Sequence, residues 1–185
     1  MKRFLPLLLF VAGWALWAYL RPPPPYPEVP PPAGPHVEQA LAALAKARWP
    51  DQAGRTIGLA DGPDRVRVIN FWATWCPPCR AEMPAFSRVH ERFADKGVSF
   101  VGIGIDTADK IMEFAKNNPV SYPLVLGQHE TLELTGLLGN GPLGLPFTMI
   151  LDRSGRLDSV QVGRLSEAEL ERRILRALAA EGSPR

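Results

Sequence analysis

Two cysteines stand three positions apart in Trp75-Cys76-Pro77-Pro78-Cys79, and the chain has no others. A disulfide across two intervening residues restrains little of the unfolded chain, so the pair gains little as a staple and reads as a reactive one. Where a strand ends and a helix begins, the first thiol lies at the positive end of the helix dipole, which favours thiolate and makes it the nucleophile. The second thiol, one helical turn on, is placed to attack a mixed disulfide formed on the first. Cys76 is therefore expected to attack and Cys79 to resolve. Pro77 and Pro78 fit a first turn, where a missing N–H costs no helix bond. They also remove two donors that would otherwise face the Cys76 sulfur, which points to a reducing poise. Trp75, next to Cys76, is expected to line a docking groove.

Such a pair needs a strand that ends just before it and a helix that starts at it. Val66 to Trp72 is nearly continuous in β-branched and aromatic residues, as buried strands are. A helix is expected from about Cys76 to Ala94, interrupted and kinked at Pro84. Val98 to Ile105 reads as a second buried strand, Thr107 to Asn117 as a helix stopped by Asn118-Pro119, and Tyr122 to Leu126 as strand-like. A short helix over Glu130 to Leu137 leads into a loop containing Gly136, Gly139, Gly141 and Gly144, free enough to approach a partner closely. Pro146 to Leu151 and Leu157 to Val162 form a hairpin about Asp152-Arg153-Ser154-Gly155. Ser166 and Glu169 make the capping box of a last helix, with Leu170, Ile174, Leu175 and Leu178 on its buried face. Upstream, Val37, Ala40, Leu41, Leu44 and Ala45 recur at helical spacing as far as about Arg48, and Arg55 to Leu59 is a short strand. Strands alternating with helices, then a hairpin and a final helix, imply an α/β fold with a mixed sheet flanked by helices.

A chain of 185 residues, 46% hydrophobic, allows one medium domain plus a leading segment. Phe4 to Leu20 is free of charge, preceded by Lys2 and Arg3 and closed by Arg21. As a helix it would span ~25 Å, slightly short of the hydrocarbon core but inside the range of membrane anchors. Trp14, Trp17 and Tyr19 gather toward its far end, as interfacial aromatics do, and the positive charge before it keeps the N-terminus cytoplasmic. No small-x-small cleavage site follows the run, so an uncleaved signal-anchor over 1–21 is expected rather than a signal peptide. Nine prolines lie between Pro22 and Pro35, and the linker 22–35 is expected to be polyproline II, a semi-rigid stalk. The domain at 36–185 then sits on the extracytoplasmic side. Without Lys2, Arg3 and Arg21 the chain has 18 Lys and Arg against 19 Asp and Glu. No basic stripe remains for nucleic acid.

Asn70-Phe71-Trp72-Ala73-Thr74-Trp75-Cys76-Pro77-Pro78-Cys79-Arg80-Ala81-Glu82-Met83-Pro84 and Gly144-Leu145-Pro146-Phe147-Thr148-Met149-Ile150-Leu151-Asp152 resemble the thioredoxin superfamily, in particular its TlpA/ResA-like, membrane-anchored thiol–disulfide oxidoreductases. The resemblance spans about Trp49 to Ala180. It implies a thioredoxin fold with one added α/β unit, matching the helix and strand between Thr107 and Leu126. It places the family's cis-proline at Pro146, which turns the Leu145 backbone outward to pair with an incoming peptide. It makes Glu82 the acidic residue that tunes the pair; Glu82 lies three residues past Cys79 on the same helical face. The bland alternative is a solvated first-turn Glu. Many thioredoxins carry a buried Asp where this chain has Asn70, which cannot titrate, so proton transfer falls to Glu82. Family members mostly reduce apocytochrome c or other exported proteins, and are recharged by an integral-membrane electron carrier.

The expected activity is therefore reduction of protein disulfides in the periplasm by a membrane-tethered monomer, without cofactor. His36, His90 and His129 are scattered, and the cysteine spacing matches no zinc ribbon or finger, so no metal is expected. A peroxiredoxin-like peroxidase is one alternative; it usually needs a distant resolving cysteine. A non-catalytic module binding through the Leu145/Pro146 groove is another, and the two intact cysteines argue against it.

Overall fold

The computed structural model describes residues 30–61 and 65–180. Among these no helix is long and apolar enough to cross a membrane. The anchor expected over 1–21 lies outside the described residues, as does the linker up to residue 29.

Helix α1 (Pro35–Lys46) and strands β1 (Arg48–Pro50) and β2 (Thr56–Gly58) lead into β3 (Val66–Trp72). There follow α2 (Pro77–Phe93), β4 (Val98–Ile105), α3 (Ala108–Asn117), β5 (Leu124–Gly127) and α4 (His129–Gly136), then the hairpin β6 (Phe147–Leu151) and β7 (Leu157–Val162), and α5 (Glu167–Ala179). The main sheet has the order β5-β4-β3-β6-β7, and β1 pairs with β2 in a separate ribbon. β3, β4 and β5 are parallel, while β6 runs antiparallel to β3 and to β7. β3 is thus the central strand, and its C-terminal end delivers the chain to the cysteines.

Side chains alternate across the sheet, and the two faces build two cores. Val66, Val68 and Trp72 of β3 join Ile150, α2, α3 and α5 on one face, together with both cysteines. Ile69 and Phe71 join Phe147, Met149, α1 and α4 on the other. Gly102, on the cysteine-bearing face of β4, lacks the side chain that would collide with Leu124 and crowd Trp72 and Tyr122.

Three details differ from expectation. α2 continues through Pro84, which is exposed, so the proline lies in an unbroken helix. Arg48 belongs to β1, a strand of three residues whose pairing with β2 carries no periodic signal of its own. Leu175 is 56% exposed, and the buried face of α5 uses Leu170, Arg173, Ile174 and Ala177 instead. Arg173 is held inside by Val160 O, the Gln161 amide oxygen and Glu169, so its buried charge is paired and hydrogen-bonded. The Ser166 hydroxyl caps the helix through Glu169 N–H at 3.3 Å. The Glu169 carboxylate turns to Arg172 and Arg173.

The same loop chemistry closes two hairpins. In Asp51-Gln52-Ala53-Gly54-Arg55 the carboxylate accepts from Ala53 N, Arg55 N and Arg55 Nε at 2.7 to 2.9 Å. In Asp152-Arg153-Ser154-Gly155-Arg156 it accepts from the Ser154 hydroxyl, Arg156 N and Arg156 Nε at 2.6 to 3.0 Å. Gly54 and Gly155, at φ 75 and 82, take the left-handed conformation each turn requires.

Candidate active site

Cys76 is the N-cap of α2, with extended backbone (φ −94, ψ 100) and its Sγ accepting Cys79 N–H at 3.3 Å. The prolines at 77 and 78 have no N–H, so Cys79 supplies the first helix donor that reaches this sulfur. The two cysteines are joined as a disulfide, S–S 2.00 Å and Cα–Cα 5.3 Å. Cys76 retains 3% of its surface and Cys79 none, so the first cysteine is the outer one. Pro77 is exposed, Pro78 half-buried and Trp75 64% exposed, forming an apolar rim beside the disulfide.

The loop that carries this rim is tied down from the side. The Thr74 hydroxyl donates to Asp106, which lies just after β4 and also accepts from Thr107 N at 2.8 Å and pairs with Lys110 at 3.3 Å. Burial opposes the Asp106 charge, and the bonds from Thr74, Thr107 and Lys110 outweigh it, holding the carboxyl below its usual range. No spacing in the sequence points to this tie, because the two residues are distant in the chain and meet only where β3 and β4 end side by side.

Glu82 is not a solvated helix residue: it is 2% exposed, on the core-facing side of α2. One carboxylate oxygen accepts from Asn70 Nδ2 at 2.9 Å, the other from Leu165 N at 3.1 Å. Burial raises its pKa to about 7, and the two hydrogen bonds and the Arg164 charge restrain the rise. Asn70 also donates to the Thr148 hydroxyl at 3.1 Å across the β3–β6 ladder. The residue that cannot titrate thus anchors the one that can. Tyr122, 2% exposed, is also pushed up, by burial and then by the Glu82 charge. Its hydroxyl has no hydrogen-bond partner among the described residues.

At the same end of the sheet, just before β6, the Leu145–Pro146 bond is cis, as the resemblance implies. Pro146 is buried, and its carbonyl accepts Gly163 N–H at 2.8 Å. Leu145 is half-buried and packs against the core cluster that holds both cysteines. The structure therefore brings Trp75, Cys76, Pro77, Pro78, Cys79, Glu82, Leu145 and Pro146 to one end of the sheet. Among the described residues no three His, Cys, Asp or Glu side chains gather into a group able to hold a metal.

The AhpC/TSA family pattern matches residues 39–160. The thioredoxin-like protein YneN of Bacillus subtilis (strain 168) is 29% identical over 127 residues, 66% of this chain and 71% of that protein. The thiol-disulfide oxidoreductase ResA of Bacillus thuringiensis (strain Al Hakam) is 28% identical over 122 residues, 65% of this chain and 68% of its own. Among solved structures, a thioredoxin-related protein from Neisseria meningitidis serogroup B is 34% identical, with a TM-score of 0.60, covering 68% of this chain and 94% of that one.

Proposed function

The chain belongs to the AhpC/TSA family, and on that premise we propose that this thiol–disulfide oxidoreductase reduces disulfides of exported proteins through Cys76 and Cys79. The reading is carried by the disulfide at the N-cap of α2, with Cys76 outermost beside the exposed Trp75.

In the reduced protein the Cys76 thiolate attacks a substrate disulfide. That S–S bond breaks, one substrate sulfur leaves as thiolate and takes a proton, and a mixed disulfide forms on Cys76. Cys79 then loses its proton and attacks the Cys76 sulfur, releasing the second substrate thiol and closing the Cys76–Cys79 bond. Two electrons pass to the substrate, and the protein is left oxidised. Glu82 serves as the acceptor for the Cys79 proton, one turn along the same helical face. A carboxyl near 7 is both acid and base at neutral pH, as a reversible proton carrier must be. Leu145 offers its backbone to the substrate strand, and Trp75, Pro77, Pro78 and Pro146 shape the surface around it. A dithiol carrier in the membrane returns the electrons by the reverse exchange. The charge-flanked apolar run at Phe4 to Leu20 and the proline-rich linker support a tethered, extracytoplasmic location. The relatedness to ResA supports thiol–disulfide exchange, and the resemblance of the cysteine and Leu145-Pro146 motifs to TlpA/ResA-like proteins supports the reductive direction and a place in cytochrome c maturation.

The test uses the full chain with dithiothreitol and insulin, with Cys79→Ser as the trap. Wild type is expected to reduce insulin, Cys76→Ser to be inactive, and Cys79→Ser to accumulate mixed disulfides on Cys76, since no thiol remains to resolve them. Equal trapping by Cys76→Ser would reverse the two roles. Activity surviving in Cys76→Ser would remove the nucleophile assignment.

A further inference from the structure

The loop between α4 and β6 contains a buried amide that nothing in the reaction above uses. Asn140 is fully buried. Its side-chain oxygen accepts Gly144 N–H at 2.8 Å, and its side-chain nitrogen donates to Gly144 O at 3.1 Å and to the Thr135 hydroxyl at 3.0 Å. Its own backbone N–H reaches Thr135 O at 2.9 Å, and its carbonyl accepts Leu143 N–H at 2.8 Å. One primary amide therefore grips both polar backbone groups of Gly144, as a neighbouring strand would, and is itself anchored to the end of α4.

The backbone groups on either side of the cis bond are almost all taken. At Gly144 both groups are taken by Asn140. At position 146 proline has no N–H, and its carbonyl is taken by Gly163. Between them, Leu145 N–H and C=O have no partner among the described residues. Across the trans Gly144–Leu145 peptide the Gly144 carbonyl and the Leu145 N–H point to opposite edges, so the Asn140 clasp on one edge leaves Leu145 N–H turned to the other, where an extended peptide can add.

We propose that Asn140 is a positioning residue that orients the substrate-pairing backbone, by clasping Gly144 on one edge and so holding Leu145 N–H toward the substrate strand on the other. This rests on the reading of Leu145 as the substrate-pairing residue. The chemistry recognised is an extended polypeptide flanking a disulfide; a small-molecule disulfide, which has no strand to align, gains nothing from it.

Accordingly, Asn140→Ala in the full chain is expected to raise KM for insulin about fivefold or more by loss of pre-organisation. The kcat for insulin and the rate of disulfide exchange with dithiothreitol should stay within about twofold of wild type, because the cysteine pair and its cap are untouched. A buried amide with only a structural role would lower thermal stability and leave this split unmoved. Thr135→Val keeps the Gly144 clasp, removes one anchor of Asn140, and is expected to shift KM in the same direction by less. It decides the matter where Asn140→Ala does not fold. Unchanged KM in the folded variant, or an equal fall in dithiothreitol exchange, overturns the proposal alone. A wild type that exchanges with dithiothreitol but never with insulin overturns the protein-substrate reading and takes this inference with it.

Discussion

Glu82 is the residue whose charge the fold opposes most plainly. Its carboxyl titrates near 7 in the folded protein against an ordinary value of 4.5, so between these values the folded state keeps a proton that the unfolded chain has released. Stability is therefore highest below the lower value, falls as pH rises through the window and levels off above it. The loss amounts to about 3 kcal/mol, each pKa unit being worth ~1.4 kcal/mol. Glu82→Gln has no charge to bury and is expected to lack this dependence. Urea unfolding of the two oxidised proteins from about pH 4 to about pH 9 should show the difference between them moving in the variant's favour as pH rises. Parallel profiles would mean that the carboxylate is not desolvated. Asn70 belongs to the same account, since its amide supplies a donor to Glu82 that an Asp at that position would lack once ionised.

The hairpin turns show how an element is stopped by one side chain. Asp152 is 6% exposed, and burial opposes its charge, yet the bonds from Ser154 and Arg156 hold its carboxyl below the usual range. Asp152→Ala strips these donors of their acceptor and is expected to cost about 1.5 to 3 kcal/mol, the range for hydrogen bonds to a charged group. A depressed carboxyl contributes stability that is present above its unfolded-state value and is lost as pH falls through its folded-state value. The gap between wild type and Asp152→Ala, read by urea unfolding, should therefore narrow in acid. A gap that is constant with pH would assign the loss to turn geometry and not to the ionised carboxylate. The Asp51 loop uses the same Asp-x-x-Gly-Arg pattern, and its bridge to Val125 joins the small β1–β2 ribbon to the edge of the main sheet.

At the scale of the molecule, the sheet is covered on both faces, and α1 supplies part of the second core through Val37, Ala40 and Leu44. That helix begins before the first residue of the domain read from the linker's end. Gly34 O accepts Val37 N–H at 3.0 Å and Glu38 N–H at 3.2 Å, Pro35 occupies the first helical position, and Pro32 lies against Gly139 in the loop below. A chain starting at His36 loses these and leaves the first helical donors to water. It is expected to be roughly 1 to 2 kcal/mol less stable than a chain starting at Pro30, with insulin reduction retained by both. Equal urea midpoints would show that the end of the linker adds nothing to the domain.

The cysteine pair, the strand that ends before it and the helix that starts at it could all be read in the sequence, because their signals are local. β3 is recognisable from its nearly continuous apolar run, and α2 from two prolines that a first turn accepts without losing a helix bond. Asp152 to Gly155 could be read as a turn because strand-like runs flank it, whereas Asp51 to Gly54 carries the same pattern between strands of only three residues, too short to signal a hairpin. What the tertiary structure decided is which polar groups meet. Asn70 and Glu82 are 12 residues apart, and Leu165 lies 83 residues from Glu82, so whether that carboxylate is solvated or buried depends on α5 closing over α2. Leu175 fits the helical apolar spacing, yet α5 packs with it outside and with Arg173 inside, where Val160, Gln161 and Glu169 satisfy it. Asn140 stands among glycines with nothing in its neighbours to mark it. Its importance arises only when the chain folds back and places Gly144 within reach of its amide. Periodicity and turn chemistry act over a few residues, whereas burial and hydrogen-bond pairing are settled by segments that meet only in the folded chain.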